Sequence, residues 1–117
     1  MQKIVIVATG AAYGSESLFS SLRLAIALCE EESAKQLKVF LMSDAVTAGL
    51  RGQNPAEGYN LQQMLEILTA QGVVVKLCKT CTDGRGITAL PLADGVEIGT
   101  LVELAHWTVA ADKVLTF

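Results

Sequence analysis

Charge is scarce in this chain. Of its 117 residues only 18% are Asp, Glu, Lys or Arg, against about 25% in an ordinary soluble domain. A chain of this length is one domain's worth, and 1–117 is read as a single unit. A small domain exposes much surface for its volume and needs more charge than this, so part of its surface is expected to be covered by copies of itself. Positive charge is not in excess: nine Lys and Arg face twelve Asp and Glu, for a net charge of −3. That leaves no basic footprint for nucleic acid. Long apolar runs are missing as well. Ile4–Ala8 falls far short of the ~20 residues that span a bilayer, and it lacks the longer apolar region and cleavage site of a signal peptide. No membrane association is expected. The three cysteines, Cys29, Cys78 and Cys81, are an odd count and form no secreted disulfide framework. A cytoplasmic protein with reduced thiols follows. With His106 as the single histidine and no G-x-S-x-G elbow, a hydrolase triad has little to stand on.

What is present alternates. Ile4–Ala8, Leu37–Met42, Val73–Leu77 and Val114–Phe117 are apolar, largely β-branched runs, and Val96-Glu97-Ile98 is a shorter one. Continuous apolar runs suit strands covered on both faces, as in a parallel sheet. Between them lie helical patterns, which makes the chain an α/β protein. Residues 15–33 place Leu18, Leu22, Ala25, Ile26 and Cys29 on one stripe, with Ser15 as cap and Glu16 complementing the dipole. A second helix starts at Asn60, where Asn60 with Gln63 resembles a capping box and Tyr59 with Met64 a hydrophobic staple. Its stripe is Leu61, Met64, Leu65 and Leu68, and Gly72 follows as the terminating residue. Thr100 and Glu103 open the last helix with a second capping box. A short helix or turn is expected within 83–90, ended by Pro91.

Chemistry concentrates in Lys76-Leu77-Cys78-Lys79-Thr80-Cys81-Thr82-Asp83-Gly84-Arg85-Gly86. Cys78 falls where the third strand ends, the edge at which open α/β sheets bind ligands. Lys76, Lys79 and Arg85 against Asp83 make the segment locally basic. A thiol beside cations and ahead of a helix has its pKa lowered, and the thiolate is the nucleophile. Lys79 and Arg85 are read as stabilising that anion, while Gly84 and Gly86 let backbone N–H groups approach it. The plainer alternative is a strand-end cysteine packed as a small hydrophobe.

Cys78 and Cys81 form a C-x-x-C, which has three functional readings. One is half a zinc site, to which only Cys29 and His106 could add ligands. The second is a thioredoxin-like dithiol. The third is a sulfur-handling nucleophile, Cys78, with Cys81 as its resolving thiol. Cys29 on the first helix's stripe is read as inert core, and His106 as a capping or surface residue. Thr9–Ser15 lacks the Lys of a phosphate loop, but Gly10, Tyr13 and Gly14 leave the same sheet edge and are expected to line a pocket around Cys78. No metal and no organic cofactor is implied.

Cys78, followed after six residues by Arg85-Gly86, resembles the DsrE-like family of sulfur-relay proteins. So do Gly14-Ser15-Glu16-Ser17 at a helix start, Ser43-Asp44-Ala45-Val46, Tyr59-Asn60 and Gly95-Val96-Glu97. The resemblance implies a three-layer α/β/α sandwich with a five-stranded parallel sheet in the order 4-3-2-1-5. It also implies a sulfane sulfur carried as a persulfide on Cys78, sulfur donor and acceptor proteins as partners, and assembly into dimers and hexamers. Apolar Leu24, Ala45, Val46 and Leu50, which have no evident place in a monomer core, are expected at the subunit contacts. A non-catalytic binding oligomer and a dithiol redox protein are the alternatives.

Overall fold

The computed structural model describes residues 1–117. Five strands, β1 (Gln2–Ala8), β2 (Lys35–Leu41), β3 (Val74–Cys78), β4 (Glu97–Gly99) and β5 (Lys113–Thr116), form one sheet in the order β4-β3-β2-β1-β5. Every pairing is parallel. Helices α1 (Glu16–Glu30) and α2 (Leu61–Ala70) connect β1 to β2 and β2 to β3, whereas α4 (Leu101–Ala110) carries the chain from β4 back to β5. The first two crossovers step one way along the sheet and the last steps the other way. Right-handed crossovers therefore put α1 and α2 on one face and α4 on the opposite face. The helices lie on both sides of the sheet, as the family resemblance implied. No helix is long and apolar enough to cross a membrane.

The two faces are covered unequally. Ile4, Ile6 and Ala8 of β1 join Leu37, Val39 and Leu41 of β2 and Val75 and Leu77 of β3 in a core with Leu18, Leu22, Ala25, Leu61, Leu65 and Leu68 from α1 and α2. Opposite, α4 has no buried residue. Its Trp107 meets Phe40 edge to face, with ring centroids 5.9 Å apart, and takes the Lys38 ammonium over its ring at 4.9 Å. Lys76 of β3 pairs with Glu103 of α4.

The helix ends follow from the side chains present. Ser15 accepts from the Ser17 amide and caps α1. Asn60 accepts from the Gln63 amide and caps α2, although Tyr59 stacks on Phe19 with centroids 3.7 Å apart. Thr100 and Glu103 form the reciprocal capping box. Past α2, Gly72 takes φ +88°. Its amide reaches the Thr69 carbonyl and the Val73 amide reaches that of Leu68, the two bonds of a Schellman motif.

Two expectations need correction. The segment after β2 is a 3-10 helix, Ser43–Gly49, rather than a wet loop. Ala45 and Val46 are fully buried in the single chain, and Leu24 and Leu50 are half-buried, so Ala45 and Val46 supply no motive for self-association. The short helix expected within 83–90 starts earlier, as α3 (Lys79–Gly84), with no loop between it and β3.

Candidate functional site

Because α3 follows β3 directly, Cys78 is both the last residue of the strand and the N-cap of the helix. Its side chain is only 2% exposed. Three residues on in α3, Cys81 is half-buried, and its side chain is the neighbour that acts on the Cys78 thiol. The end of β2 closes the site: the Ser43 amide donates to Cys81 Sγ at 3.2 Å, from a residue held at φ +54°. A non-glycine residue seldom adopts that left-handed conformation. It turns the chain from β2 into the 3-10 helix and aims this amide at the sulfur. The candidate site is thus a pair of cysteines at the carboxyl end of β3, closed by the turn that follows the neighbouring β2.

Burial pushes the Cys78 thiol above its ordinary pKa, and the neighbouring Cys81 side chain adds to the rise. The backbone amides of Cys81 and Thr80 oppose it by favouring the anion, and they lose. This corrects the expected lowering, and the reason is where the cations go. Lys79 Nζ donates to Asp83 Oδ2 at 2.8 Å. Arg85 Nη2 donates to Asp44 Oδ1 at 2.7 Å, and its Nη1 to the Cys81 carbonyl at 3.1 Å. Lys76 is engaged by Glu103. Each cation of the segment is matched by a carboxylate, so none is left to hold a thiolate on Cys78.

The glycines also act differently from the expectation. Gly86, at φ +68°, ends α3: its amide reaches the Asp83 carbonyl and the Ile87 amide reaches that of Thr82, a second Schellman motif. Gly84 is the last residue of the helix. Gly10 lies against α1, where a Cβ would meet Ser17 Oγ at 2.2 Å. Tyr13, at φ +59°, donates its hydroxyl to Gln53 at 2.6 Å and accepts from the Leu61 amide at 3.0 Å. Its ring stacks towards Tyr59. These contacts brace α1, α2 and the long connection before α2 rather than the thiols, and Gly14 belongs to the same turn. None of the three surface cavities is lined by Cys78, Cys81, Gly10, Tyr13, Gly14, Gly84 or Gly86.

The largest cavity, about 490 Å³, lies at the amino edge of the sheet and includes Cys29, Lys35 and Gly72. Cys29 is half-buried at its rim, not deep in the core. His106 is exposed on α4. No three His, Cys, Asp or Glu side chains gather as metal ligands, so neither Cys29 nor His106 completes a set with the thiol pair. The residues missed in the sequence are Ser43, Asp44 and Thr88. Ser43 and Asp44 stand in the quoted Ser43–Val46 stretch, but only the fold shows them meeting α3. The Thr88 hydroxyl donates to Asp83 at 2.5 Å and ties the following loop to the helix.

The fold and site are those of a small parallel α/β protein with a cysteine pair at the carboxyl edge of its sheet. The DsrE/DsrF-like family model matches residues 2–117, and the chain belongs to that family. Protein YchN of Escherichia coli (strain K12) is 82% identical over 117 residues, covering 100% of both chains. The crystal structure of the ychN protein from E. coli superposes with a TM-score of 0.97 over 100% of each chain. A protein of unknown function, MTH1491 from Methanobacterium thermoautotrophicum, shares the fold at 15% identity, with a TM-score of 0.82 over 100% of each chain. Sulfurtransferase TusD of Salmonella newport (strain SL254) is 28% identical over 127 residues, covering 98% of this chain and 99% of its own.

Proposed function

We propose that this protein is a cytoplasmic sulfur-relay protein that carries sulfane sulfur as a persulfide on Cys78 and passes it from a donor protein to an acceptor. Family membership and the distant resemblance to a sulfurtransferase support relay chemistry. The observation that carries the assignment to Cys78 is its position at the carboxyl end of β3, against a second thiol. A buried site suits a persulfide, which is lost to water and to stray thiols when exposed. The raised thiol pKa is consistent with a resting carrier: the free thiol is protected, and nucleophilicity appears only where a partner improves its surroundings. The chain acts as one unit over 1–117 and works as an oligomer, a hexamer in this reading. Exposed Leu101, Val102 and Val109 on α4 and Val114 on β5 supply the apolar contact. No cofactor takes part.

The Cys78-x-x-Cys81 spacing, with Cys78 capping the helix that holds Cys81, favours one second reading, a dithiol redox protein cycling through a Cys78–Cys81 disulfide. Incubation with a small persulfide followed by intact mass measurement separates the two. One added sulfur atom supports carriage, and the loss of two hydrogens supports the redox reading.

A further inference from the structure

Carriage on Cys78 leaves a difficulty that the geometry itself resolves. Thiol–persulfide exchange is an in-line attack by one sulfur on another, and Cys78 is 2% exposed. None of the three surface cavities reaches it. Cys81 is the more exposed of the pair, follows Cys78 three residues on in α3, and receives the Ser43 amide on its sulfur at 3.2 Å. That amide is fixed by the left-handed backbone at Ser43, and Arg85 holds the Cys81 carbonyl from the other side. Cys81 is therefore positioned by the 3-10 helix that follows β2 and by the end of its own helix, whereas Cys78 is positioned by burial.

Resting on the sulfur-carrier reading above, we propose that Cys81 is the port through which sulfane sulfur enters and leaves, and that Cys78 is the sheltered store behind it. The substrate class is a protein or low-molecular-weight persulfide. In the first step the Cys81 thiolate attacks the outer sulfur of the donor persulfide R–S–SH. A new bond forms between Cys81 Sγ and that sulfur, the donor's S–S bond breaks, and the electron pair leaves on the donor thiolate. In the second step Cys78, giving its proton to Cys81 as that sulfur becomes free, attacks the same outer sulfur. The product is the Cys78 persulfide and a Cys81 thiol. Each step makes one S–S bond and breaks one, so no oxidant or reductant is consumed. Delivery to an acceptor thiol is the reverse path. The Ser43 amide favours negative charge on Cys81 as each bond breaks.

Trypsin reads the two positions separately, because Lys79 lies between them: cleavage after Lys76, Lys79 and Arg85 puts Cys78 and Cys81 on different peptides. The full-length protein is treated with cysteine persulfide, quenched with iodoacetamide at successive times, and digested. In the unmodified protein sulfur is expected on the Cys81 peptide first and on the Cys78 peptide at completion. In Cys78→Ser sulfur reaches the Cys81 peptide while the donor is present and is lost once the excess is removed. Cys81→Ser and Cys81→Ala load Cys78 about 10-fold more slowly or worse, through loss of a positioned intramolecular step. Far-UV circular dichroism of both Cys81 variants guards against misfolding, and the Cys78→Ser result reads the port independently of them. Loading of Cys78 at the unmodified rate in folded Cys81 variants overturns the port and leaves the carrier standing. A Cys78–Cys81 disulfide as the main product also overturns it, by making Cys81 a resolving thiol. No uptake of sulfur by the unmodified protein overturns both readings.

Discussion

At Cys78 burial raises the energy of the thiolate while the amides of Cys81 and Thr80 lower it, and burial wins. Alkylation of Cys78 by iodoacetamide is therefore expected to be slow at neutral pH and to rise only as the pH passes beyond the ordinary thiol range. Tryptic peptide mapping across a pH series reads this directly, and a fast plateau reached below neutrality would contradict it. Arg85 separates two accounts of the same segment. Were it a thiolate partner, Arg85→Ala would move that profile. Its guanidinium instead bridges Asp44 and the Cys81 carbonyl. The variant should leave the Cys78 profile in place and cost less than ~1 kcal/mol in urea unfolding, the range of a partly exposed ion pair. These roles were only half legible in the sequence. The position of Cys78 at a strand end follows from the apolar run before it. The Lys79–Asp83 pair is an i,i+4 spacing within the segment, but the burial of Cys78 and the carboxylate that claims Arg85, Asp44 from the 3-10 helix after β2, come from the tertiary fold, which local spacing cannot show.

Among the elements, strands and helix caps were the most legible because each is set by a few neighbouring side chains: Ser15, Asn60 and Thr100 cap where they were expected to. The strand order came from the family resemblance, since no local pattern encodes which strands lie side by side. The 3-10 helix was missed because Ser43–Gly49 is too short to show a period, and α3 was displaced because no turn residue marks its start. Gly49 is the informative position there. A Cβ on it would lie 2.5 and 2.8 Å from the two methyl carbons of Leu77, the residue before Cys78. Gly49→Ala should destabilise the fold by about 1–3 kcal/mol, the usual range for an overpacked core, and disturb the end of β3. Denaturant unfolding with sulfur loading as a second readout checks both effects. On the other face, the Lys76 ammonium, followed by the Thr100 amide, holds the Glu103 carboxyl below its ordinary pKa. The folded value is depressed, so the stabilisation is present above the ordinary glutamate range and lost as the pH falls through the folded value. The difference in melting temperature between the unmodified protein and Glu103→Gln should be largest near neutrality and shrink in acid. A difference that grows in acid would have the wrong sign for this pair.

For the molecule as a whole, the shortage of charge led to the expectation of assembly, but the buried positions first held responsible, Ala45 and Val46, lie in the monomer's own core. The uncovered apolar surface is elsewhere, on α4 and β5, where Val102 is 65% and Val109 88% exposed. Sequence periodicity did not separate this face because α4 is apolar nearly all round. If that face joins copies, Val102→Lys together with Val109→Lys should lower the light-scattering mass at low micromolar concentration without lowering helix content. An unchanged oligomer mass would place the contact elsewhere. Assembly, burial and the thiol pair all bear on one claim, that the intact protein holds sulfane sulfur on Cys78. The most direct test is the intact mass of the full-length protein after exposure to a sulfane donor and removal of the excess, beside Cys78→Ser and Cys29→Ser. The account predicts one retained sulfur in the unmodified protein and in Cys29→Ser, and no durable retention in Cys78→Ser; equal, lasting retention in Cys78→Ser would contradict it.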